Sequence, residues 1–255
     1  MRATSEERRP RPRPRSRLRL RGGVQALAVL VCAGVLCSLA PAALARDGAD
    51  AACAAGTGPY QRQLERFLKL TVDGSQSPAD CAAVRAFQRE QRLERRDGYA
   101  GLEAYRQTQI VRAGKNPNAD GSCPVDVGVV VCVDMTRQLL WLQSGERLEY
   151  GPVATRTGRW GEQTRPGLHE IFRRVRDDYS REYDNAPMPY SQYFDGGQAI
   201  HGRYDDLFDG GGSAGCVNLR LRDAKALWER LGVGDKVFVW GQKPGTSAKG
   251  GARGA

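Results

Sequence analysis

The chain has 255 residues, of which 40% are hydrophobic and 27% are charged, and its formal net charge is +10. This length suffices for one large domain or two small ones with a buried core. The basic balance does not indicate a nucleic-acid-binding protein, because nine arginines fall in residues 2–21 against only Glu6 and Glu7. Without the first 45 residues the net charge is near +3, which excludes a strong electrostatic footprint for nucleic acid.

Residues 1–45 are predicted to form a secretory signal peptide. The arginines are followed by an uncharged apolar run from Val24 to Ala40, and Ala43-Leu44-Ala45 has the small-x-small pattern that signal peptidase cleaves. A retained membrane anchor is the alternative, but the run is shorter than the about 20 residues that span a bilayer. We therefore expect a protein outside the cytoplasmic membrane, with membrane contact only through the transient signal peptide.

Five cysteines follow the predicted cleavage site: Cys53, Cys81, Cys123, Cys132 and Cys216. Outside the cytoplasm thiols tend to pair, so an odd number leaves one unpaired. The pairs Cys53–Cys81 and Cys123–Cys132 are close in sequence, and each stays inside one candidate domain. Each closure is worth about 2.5 to 3.5 kcal/mol on the chain-entropy estimate. Cys216 is thus predicted to be a free thiol.

After a linker at residues 46–57, residues 58–108 are predicted to form a small module of three short helices. Apolar side chains recur at helical spacing from Tyr60 to Leu68 and again from Ala82 to Leu93. A third helix is expected to begin within Gly101 to Tyr105.

The same module carries a pattern of Asp-Gly, then Ala-Val-x-x-Phe-Gln, then Asp-Gly-x-x-Gly. Its residues are Asp73, Gly74, Ala83, Val84, Phe87, Gln88, Asp97, Gly98 and Gly101. The pattern resembles the peptidoglycan-binding domain that accompanies many cell-wall enzymes, although residues 75–80 lack the usual Phe-Gly-Pro-x-Thr. The resemblance implies a wall-binding module; a spacer that binds nothing is the alternative.

Beyond a polar linker at residues 109–123, residues 124–241 are predicted to be mainly β with little helix. β-branched and apolar runs indicate strands at 127–133, 138–142, 147–153, 171–172, 199–200 and 237–240. One helix is expected, with Asp223 as its cap and Gly232 at its end. Residues 242–255, rich in Gly, Ser, Lys and Ala, are predicted to be a disordered tail.

The residues that indicate chemistry are His201 and Cys216, which flank a glycine-rich loop. A nucleophilic thiol needs a base, and a neighbouring imidazole can stabilise the thiolate as an ion pair. The only histidines are His169, in a polar context, and His201, which follows an apolar run as if at a strand end. We predict that Cys216 is the nucleophile, that His201 is its base, and that backbone N–H groups of Gly215 and Cys216 stabilise an oxyanion, each by about 3 kcal/mol. The alternative is a buried structural cysteine.

This arrangement of His-Gly, a spacer and Ser-x-Gly-Cys-Val-Asn-Leu resembles the signature of the L,D-transpeptidases, the YkuD-like catalytic domain. The resemblance extends over residues 124–241 and includes Thr164-Arg165-Pro166-Gly167 and Met188-Pro189-Tyr190. It implies a mainly β, sandwich-like catalytic domain with Cys216 at the mouth of a cleft. The chain departs from many members at Ala214, where they have histidine.

The resemblance also implies the roles of the residues in the motif. Cys216 attacks, His201 is the base, and the Gly202 carbonyl orients the imidazole. Ser213 helps to order the loop, in which Gly215 allows close approach of the reacting carbonyl.

Three further residues are implied to contact substrate. Tyr190 would line the donor pocket, while Asn218 and Arg220 would contact substrate or brace the loop. A loop-bracing ion pair is the alternative for Arg220.

The reaction implied by the family is attack on peptidoglycan tetrapeptide stems, release of D-alanine and formation of 3-3 cross-links through a thioester. No cofactor or metal is required, and a zinc site at Cys216 and His201 is poorly supported. The implied partners are stem peptides and the cell wall, and the protein is expected to be a monomer. The alternatives are an L,D-carboxypeptidase, an enzyme that anchors lipoproteins to the wall, and a non-catalytic wall-binding protein.

Overall fold

The structure, a computed structural model, describes Cys53 and residues 55–246. The predicted signal peptide at residues 1–45 therefore lies outside the described residues, as do residues 247–255 of the predicted tail. Among the described residues, no helix combines the length and the apolar character needed to cross a membrane.

Three helices precede the sheets: α1 (Gln61–Leu68), α2 (Pro78–Glu90) and α3 (Leu102–Ala113). The start of α2 follows from its sequence, because Ser77 and Asp80 form a reciprocal capping box and Pro78 occupies the first turn. The helices enclose a core of Leu64, Val84, Phe87, Leu93, Ala100 and Ala104. The third helix continues past residue 108 to Ala113, so the segment between the helices and the first strand is shorter than residues 109–123.

Both predicted disulfides are confirmed. Cys53 is bonded to Cys81, with Cα atoms 5.6 Å apart, and Cys123 to Cys132, with Cα atoms 5.9 Å apart. The first bond ties the segment before α1 to α2, and the second fastens the connection after α3 to the first strand. Cys216 is the free cysteine of the described residues.

Nine strands follow the helices in the described residues. They are β1 (Val129–Asp134), β2 (Leu139–Ser144), β3 (Arg147–Ala154), β4 (Gly167–Glu170), β5 (Arg173–Tyr179), β6 (Pro187–Asp195), β7 (Gln198–Arg203), β8 (Val217–Arg220) and β9 (Lys236–Trp240). One sheet has the order β3-β2-β1-β9-β4 and the other β5-β6-β7-β8. Most neighbours are antiparallel, but β1 pairs with β9 and β7 with β8 in parallel.

The fourth helix, α4 (Leu221–Trp228), follows β8 directly and packs on the second sheet. Its apolar residues join both sheets in one core that includes Val131, Ile171, Ile200 and Leu219. Ile171, predicted as part of a strand, is instead the fully buried link between β4 and β5.

The predicted cap of α4 has another role. The helix begins at Leu221, and the Asp223 carboxylate accepts a hydrogen bond from the Tyr150 hydroxyl at 2.8 Å. Asp223 therefore lies inside the first turn, where the positive end of the helix dipole stabilises a carboxylate.

The start of the predicted disordered tail is corrected for residues 242–246, which are bound to the domain. The Lys243 ammonium donates hydrogen bonds to the carbonyls of Thr157, at 3.0 Å, and Gly211. Thr246 is 5% exposed. This segment therefore fastens the chain after β9 to the glycine-rich loop that precedes Cys216.

Candidate active site

The parallel pairing of β7 with β8 brings the predicted nucleophile and base to one face of the second sheet. His201 is the register partner of Asn218. Cys216 lies just before β8, and its Sγ accepts a hydrogen bond from the Ala199 N–H at 3.5 Å. Because residues two apart on a strand face the same side, Cys216 and Asn218 lie on the face that carries His201.

The loop before Cys216 is held by side-chain hydroxyls. Ser213 Oγ donates to the Cys216 carbonyl at 2.5 Å and accepts from the Gly215 N–H at 3.2 Å. Buried Thr164 donates its hydroxyl to the Gly215 carbonyl at 2.8 Å. These bonds hold the Gly215 N–H and the carbonyls of Gly215 and Cys216, so the backbone is fixed on both sides of the Cys216 side chain.

Gly215 is required at its position for two reasons. Its φ is +104°, a conformation that residues with a side chain rarely adopt. A Cβ there would also lie 2.4 Å from Gln198 Nε2, and the Gln198 amide is itself fixed by bonds to Gln163 and Arg165. Besides its predicted role in permitting close approach of the reacting carbonyl, Gly215 thus avoids a collision with Gln198.

The His201 imidazole is 6% exposed and both of its nitrogens have partners. Nδ1 lies 2.8 Å from the Gly202 carbonyl, and Nε2 lies 2.8 Å from Asn218 Nδ2. A carbonyl can only accept, so Nδ1 carries the hydrogen and the lone pair of Nε2 accepts from the Asn218 amide. Burial lowers the pKa of His201, although the Gly202 carbonyl opposes the shift. The imidazole is therefore neutral near pH 7 and can act as a base through Nε2.

Arg156 sets the orientation of the Asn218 amide. Its Nε donates to Asn218 Oδ1 at 3.2 Å, and its guanidinium also bonds to Asp209. Because a guanidinium cannot accept, the oxygen of the amide must face Arg156 and the NH₂ group must face His201. Asn218, predicted to contact substrate or brace the loop, thus contacts the base directly.

The Cys216 thiol is partly exposed and lies 3.8 Å from the Gly197 carbonyl. Burial raises the pKa of Cys216, and the negative charges of Glu182 and Asp178 raise it further, against the opposing Ala199 N–H. No hydrogen bond between the thiol and the imidazole is present among the described contacts of these two residues. Both shifts favour the neutral thiol and the neutral imidazole over the thiolate–imidazolium pair expected from the sequence.

Two site residues were missed by the sequence: Tyr193 and Asp178. Tyr193 is the register partner of Ala199, and its ring packs in the small cluster against which Cys216 lies. Its hydroxyl donates to Asp178 at 2.6 Å, and burial together with Asp178 raises the pKa of Tyr193 to about 12. The ring of a protonated phenol therefore borders the thiol, and the hydroxyl of that phenol is bonded to a carboxylate.

Tyr190 and Arg220 lie away from the thiol. The Tyr190 ring packs on the core side of β6, with its centroid 6.1 Å from that of Trp228. Arg220 bonds to Glu103 of α3 at 2.5 Å and stacks over Phe208. The structure thus places Tyr193, rather than Tyr190, beside Cys216, and gives Arg220 the bracing ion pair.

Groups of three or more potential metal ligands do not occur in the described part of the chain. His169, the other histidine, lies on β4 and contacts the Arg165 carbonyl at 3.1 Å and the ring of Phe194. What the site can do is nucleophilic chemistry at one thiol with one base.

Comparison with known proteins gives a family assignment. Residues 128–239 match the YkuD family, described as the L,D-transpeptidase catalytic domain. The chain is 34% identical to an L,D-transpeptidase from Stackebrandtia nassauensis of known crystal structure, with a TM-score of 0.57, over 75% of this chain and 95% of that one. A search of curated proteins found no match.

Two other solved L,D-transpeptidases are more distant. That from Xylanimonas cellulosilytica is 24% identical, with a TM-score of 0.41, over 73% of this chain and 95% of the other. That from Mycobacterium tuberculosis is 18% identical, with a TM-score of 0.42, over 45% and 58%. On the YkuD match and the identity to the Stackebrandtia structure, this chain belongs to the L,D-transpeptidase family.

Proposed function

We propose that this protein is a secreted, cysteine-dependent L,D-transpeptidase that makes 3-3 cross-links in peptidoglycan. The observation that carries the proposal is the free thiol of Cys216 on the sheet face that also carries His201, in a chain of this family. The signal-like residues 1–45 support export to the cell wall, where the stem peptides are found.

The acylation step follows from the two neutral groups. His201 Nε2 takes the thiol proton while Sγ attacks the carbonyl that precedes the terminal D-alanine of a tetrapeptide stem. The C–N bond then breaks, and His201 returns the proton to the departing D-alanine amine. The product is a thioester on Cys216.

Asn218 must release Nε2 for this transfer, because one lone pair cannot serve both the amide and the thiol proton. Substrate binding that displaces the amide or turns the imidazole would provide that release. The oxyanion is stabilised by the Cys216 N–H, since Ser213 occupies the N–H of Gly215. The thioester is resolved by an acceptor amine, whose attack breaks the C–S bond and restores the thiol.

The test is a reaction of the protein with defined tetrapeptide muropeptides, followed by mass spectrometry. We expect cross-linked dimers and free D-alanine, no acyl-enzyme with Cys216→Ala, and a rate lowered by about 10²- to 10⁴-fold with His201→Ala. His169→Ala is the matched control, because it removes the other histidine of the chain, and it should retain full activity.

The same experiment separates the alternatives. Tripeptide without dimer indicates an L,D-carboxypeptidase, in which water resolves the thioester. Acyl-enzyme that is resolved only by a lipoprotein amine indicates a wall-anchoring enzyme. Wall binding without any acyl-enzyme contradicts the proposal and indicates a non-catalytic binding protein.

A further inference from the structure

A cavity away from Cys216 lies between the helices and the first sheet. It has a volume of about 280 Å³ and is bordered by α3, β3 and the start of α4; we call it the seam cavity. Neither Cys216 nor His201 lines it. Its charged lining residues are Arg92, Arg106, Arg220, Arg222, Glu103 and Asp223.

Both carboxylates of the seam cavity already have partners. Glu103 is bonded to Arg220, and Asp223 accepts from Tyr150 and lies 3.5 Å from Arg222. Among the ion pairs of the described residues, none joins Arg92 or Arg106 to a carboxylate. The cavity therefore has an excess of positive charge.

Arg106 is the unusual member of this group because it is only 8% exposed. Its guanidinium donates to the Arg137 carbonyl at 3.2 Å and lies 5.7 Å from the centre of the Tyr105 ring. Burial lowers the pKa of Arg106. The pKa of Lys243 is lowered to about 8 by the burial of Lys243 itself and by the positive charge of Arg106. A buried cation whose partners are a carbonyl and a ring is costly unless an anion neutralises it.

We propose that the seam cavity binds the carboxylate of a small peptide or amino-acid derivative, with Arg106 as its principal ligand. A guanidinium matches the two oxygens of a carboxylate in a planar fork. The uncharged lining combines apolar side chains, among them Leu93, Ile110, Val153 and Phe208, with the amides of Gln91 and Gln107. The apolar side chains can contact the alkyl group of an amino-acid derivative and the amides can hydrogen-bond its peptide group, whereas a free phosphate has neither group. The volume of about 280 Å³ is just below the usual range for sites of drug-sized ligands, which fits a smaller ligand.

The experiment is an NMR titration of the ¹⁵N-labelled protein, read at the arginine Nε–Hε signals. The probe is N-acetyl-D-alanine; its uncharged amide and inorganic phosphate are the comparison ligands. We expect a saturable shift of the Arg106 signal with N-acetyl-D-alanine and none with the amide. Arg106→Gln should weaken binding at least about 10-fold, as expected for loss of a charge-assisted pair.

Two controls locate the effect. Arg176→Gln removes an exposed arginine of β5 that does not line the cavity, and it should bind as the unaltered protein does. Cys216→Ala should also bind normally, since the seam cavity does not contain the thiol. If Arg106→Gln disturbs folding, Arg106→Lys keeps the charge but lacks the fork, and it should bind with intermediate affinity.

Each other outcome overturns the proposal. A shift produced equally by the amide means that the carboxylate is not recognised. A response to phosphate alone contradicts the assignment of a carboxylate ligand. Binding that survives Arg106→Gln but is lost in Cys216→Ala places the ligand in the catalytic cleft. The proposed transpeptidase activity is measured separately, so it stands or falls independently of this site.

Discussion

Burial of the His201 imidazole determines how the site responds to pH. Its pKa is lowered because a cation loses hydration inside the protein. We expect kcat/KM for stem-peptide transfer to fall on the acid side with an apparent pKa below 6.5, the ordinary value for histidine. The reason is that a protonated Nε2 cannot accept the thiol proton. An acid limb centred above 6.5 would contradict this assignment.

The same shift predicts the direction of the pH dependence of stability. The unfolded state binds a proton at this histidine more readily than the folded state does. The contribution is therefore fully present above about pH 6.5 and declines as the pH falls through the lower folded pKa. Urea unfolding at a series of pH values measures it, and His201→Gln should reduce the slope in that window.

Asn218 is a positioning residue whose effect on His201 can be tested directly. Asn218→Ala removes the donor to Nε2, so we expect the neutral imidazole to be less stabilised and the acid limb of the rate profile to move to higher pH. Loss of orientation should also lower kcat/KM by about 10-fold, the equivalent of one hydrogen bond.

The conservative variant distinguishes this role from a purely structural one. Asn218→Asp keeps the size of the side chain but offers an acceptor to Nε2. It should favour protonated His201 and move the acid limb of the rate profile to a still higher pH than Asn218→Ala does. An unchanged pH profile in both variants, with lower stability alone, would show that Asn218 only supports the fold.

The sequence alone predicts His201 and Cys216, because a short motif carries both residues. The sequence does not predict Tyr193 and Asp178 as site residues. Tyr193 is brought to the thiol by the pairing of β6 with β7, and Asp178 by its bond to Tyr193, and no local sequence pattern indicates either contact. Tyr190 was chosen from the motif instead, but it is three positions from Tyr193, and an odd separation on a strand places side chains on opposite faces.

At the level of elements, the loop of Ser213 to Cys216 depends on one glycine. Gly215→Ala introduces strain at positive φ and a collision with Gln198, so we expect a loss of about 1 to 3 kcal/mol in the free energy of unfolding. Acylation by tetrapeptide should fall as well, because the oxyanion donor and the thiol both shift.

Gly232→Ala is the matched control for this loop. A Cβ at Gly232 meets only Asp235 Oδ2, at 3.9 Å, which is an ordinary contact. Urea unfolding and acylation by mass spectrometry measure both variants. Equal effects of the two substitutions would mean that the conformation of Gly215 is not what the loop requires.

Continuous apolar or β-branched runs predict β1 and β2, which are buried on both faces in the interior of the first sheet. Burial alone does not decide which strands are predictable, because β3 was predicted although it lies at the edge of the first sheet, and β6 was not predicted although most of it is buried. β5 was missed, since its sequence Arg-Arg-Val-Arg-Asp-Asp-Tyr is largely exposed at the edge of the second sheet and contains little apolar signal. β8 is four residues long and is defined by its pairing with β7, which a local pattern cannot reveal.

In the whole molecule, the helices and the sheets are joined through Arg220. Its guanidinium at the end of β8 bonds to Glu103 of α3, and both side chains are largely buried, at 19% and 13% exposed. We expect a double-mutant cycle with Arg220→Gln and Glu103→Gln to give a coupling free energy of about 1 kcal/mol. Calorimetry should show one unfolding transition in the unaltered protein.

Independent units would give a different result. If the helices unfold on their own, two transitions appear and the cycle gives no coupling. The described residues fall in one compact unit, which favours the single transition.

The pairing of the other described cysteines has a practical consequence for Cys216. In a preparation that lacks residues 1–45, and with them Cys32 and Cys37, a maleimide or iodoacetamide dye applied without reductant has one target. The fluorescence taken up per molecule then measures the fraction of chains with a reactive Cys216 thiol. Slower labelling in the presence of a stem peptide would then report occupancy of the cleft without a coupled assay.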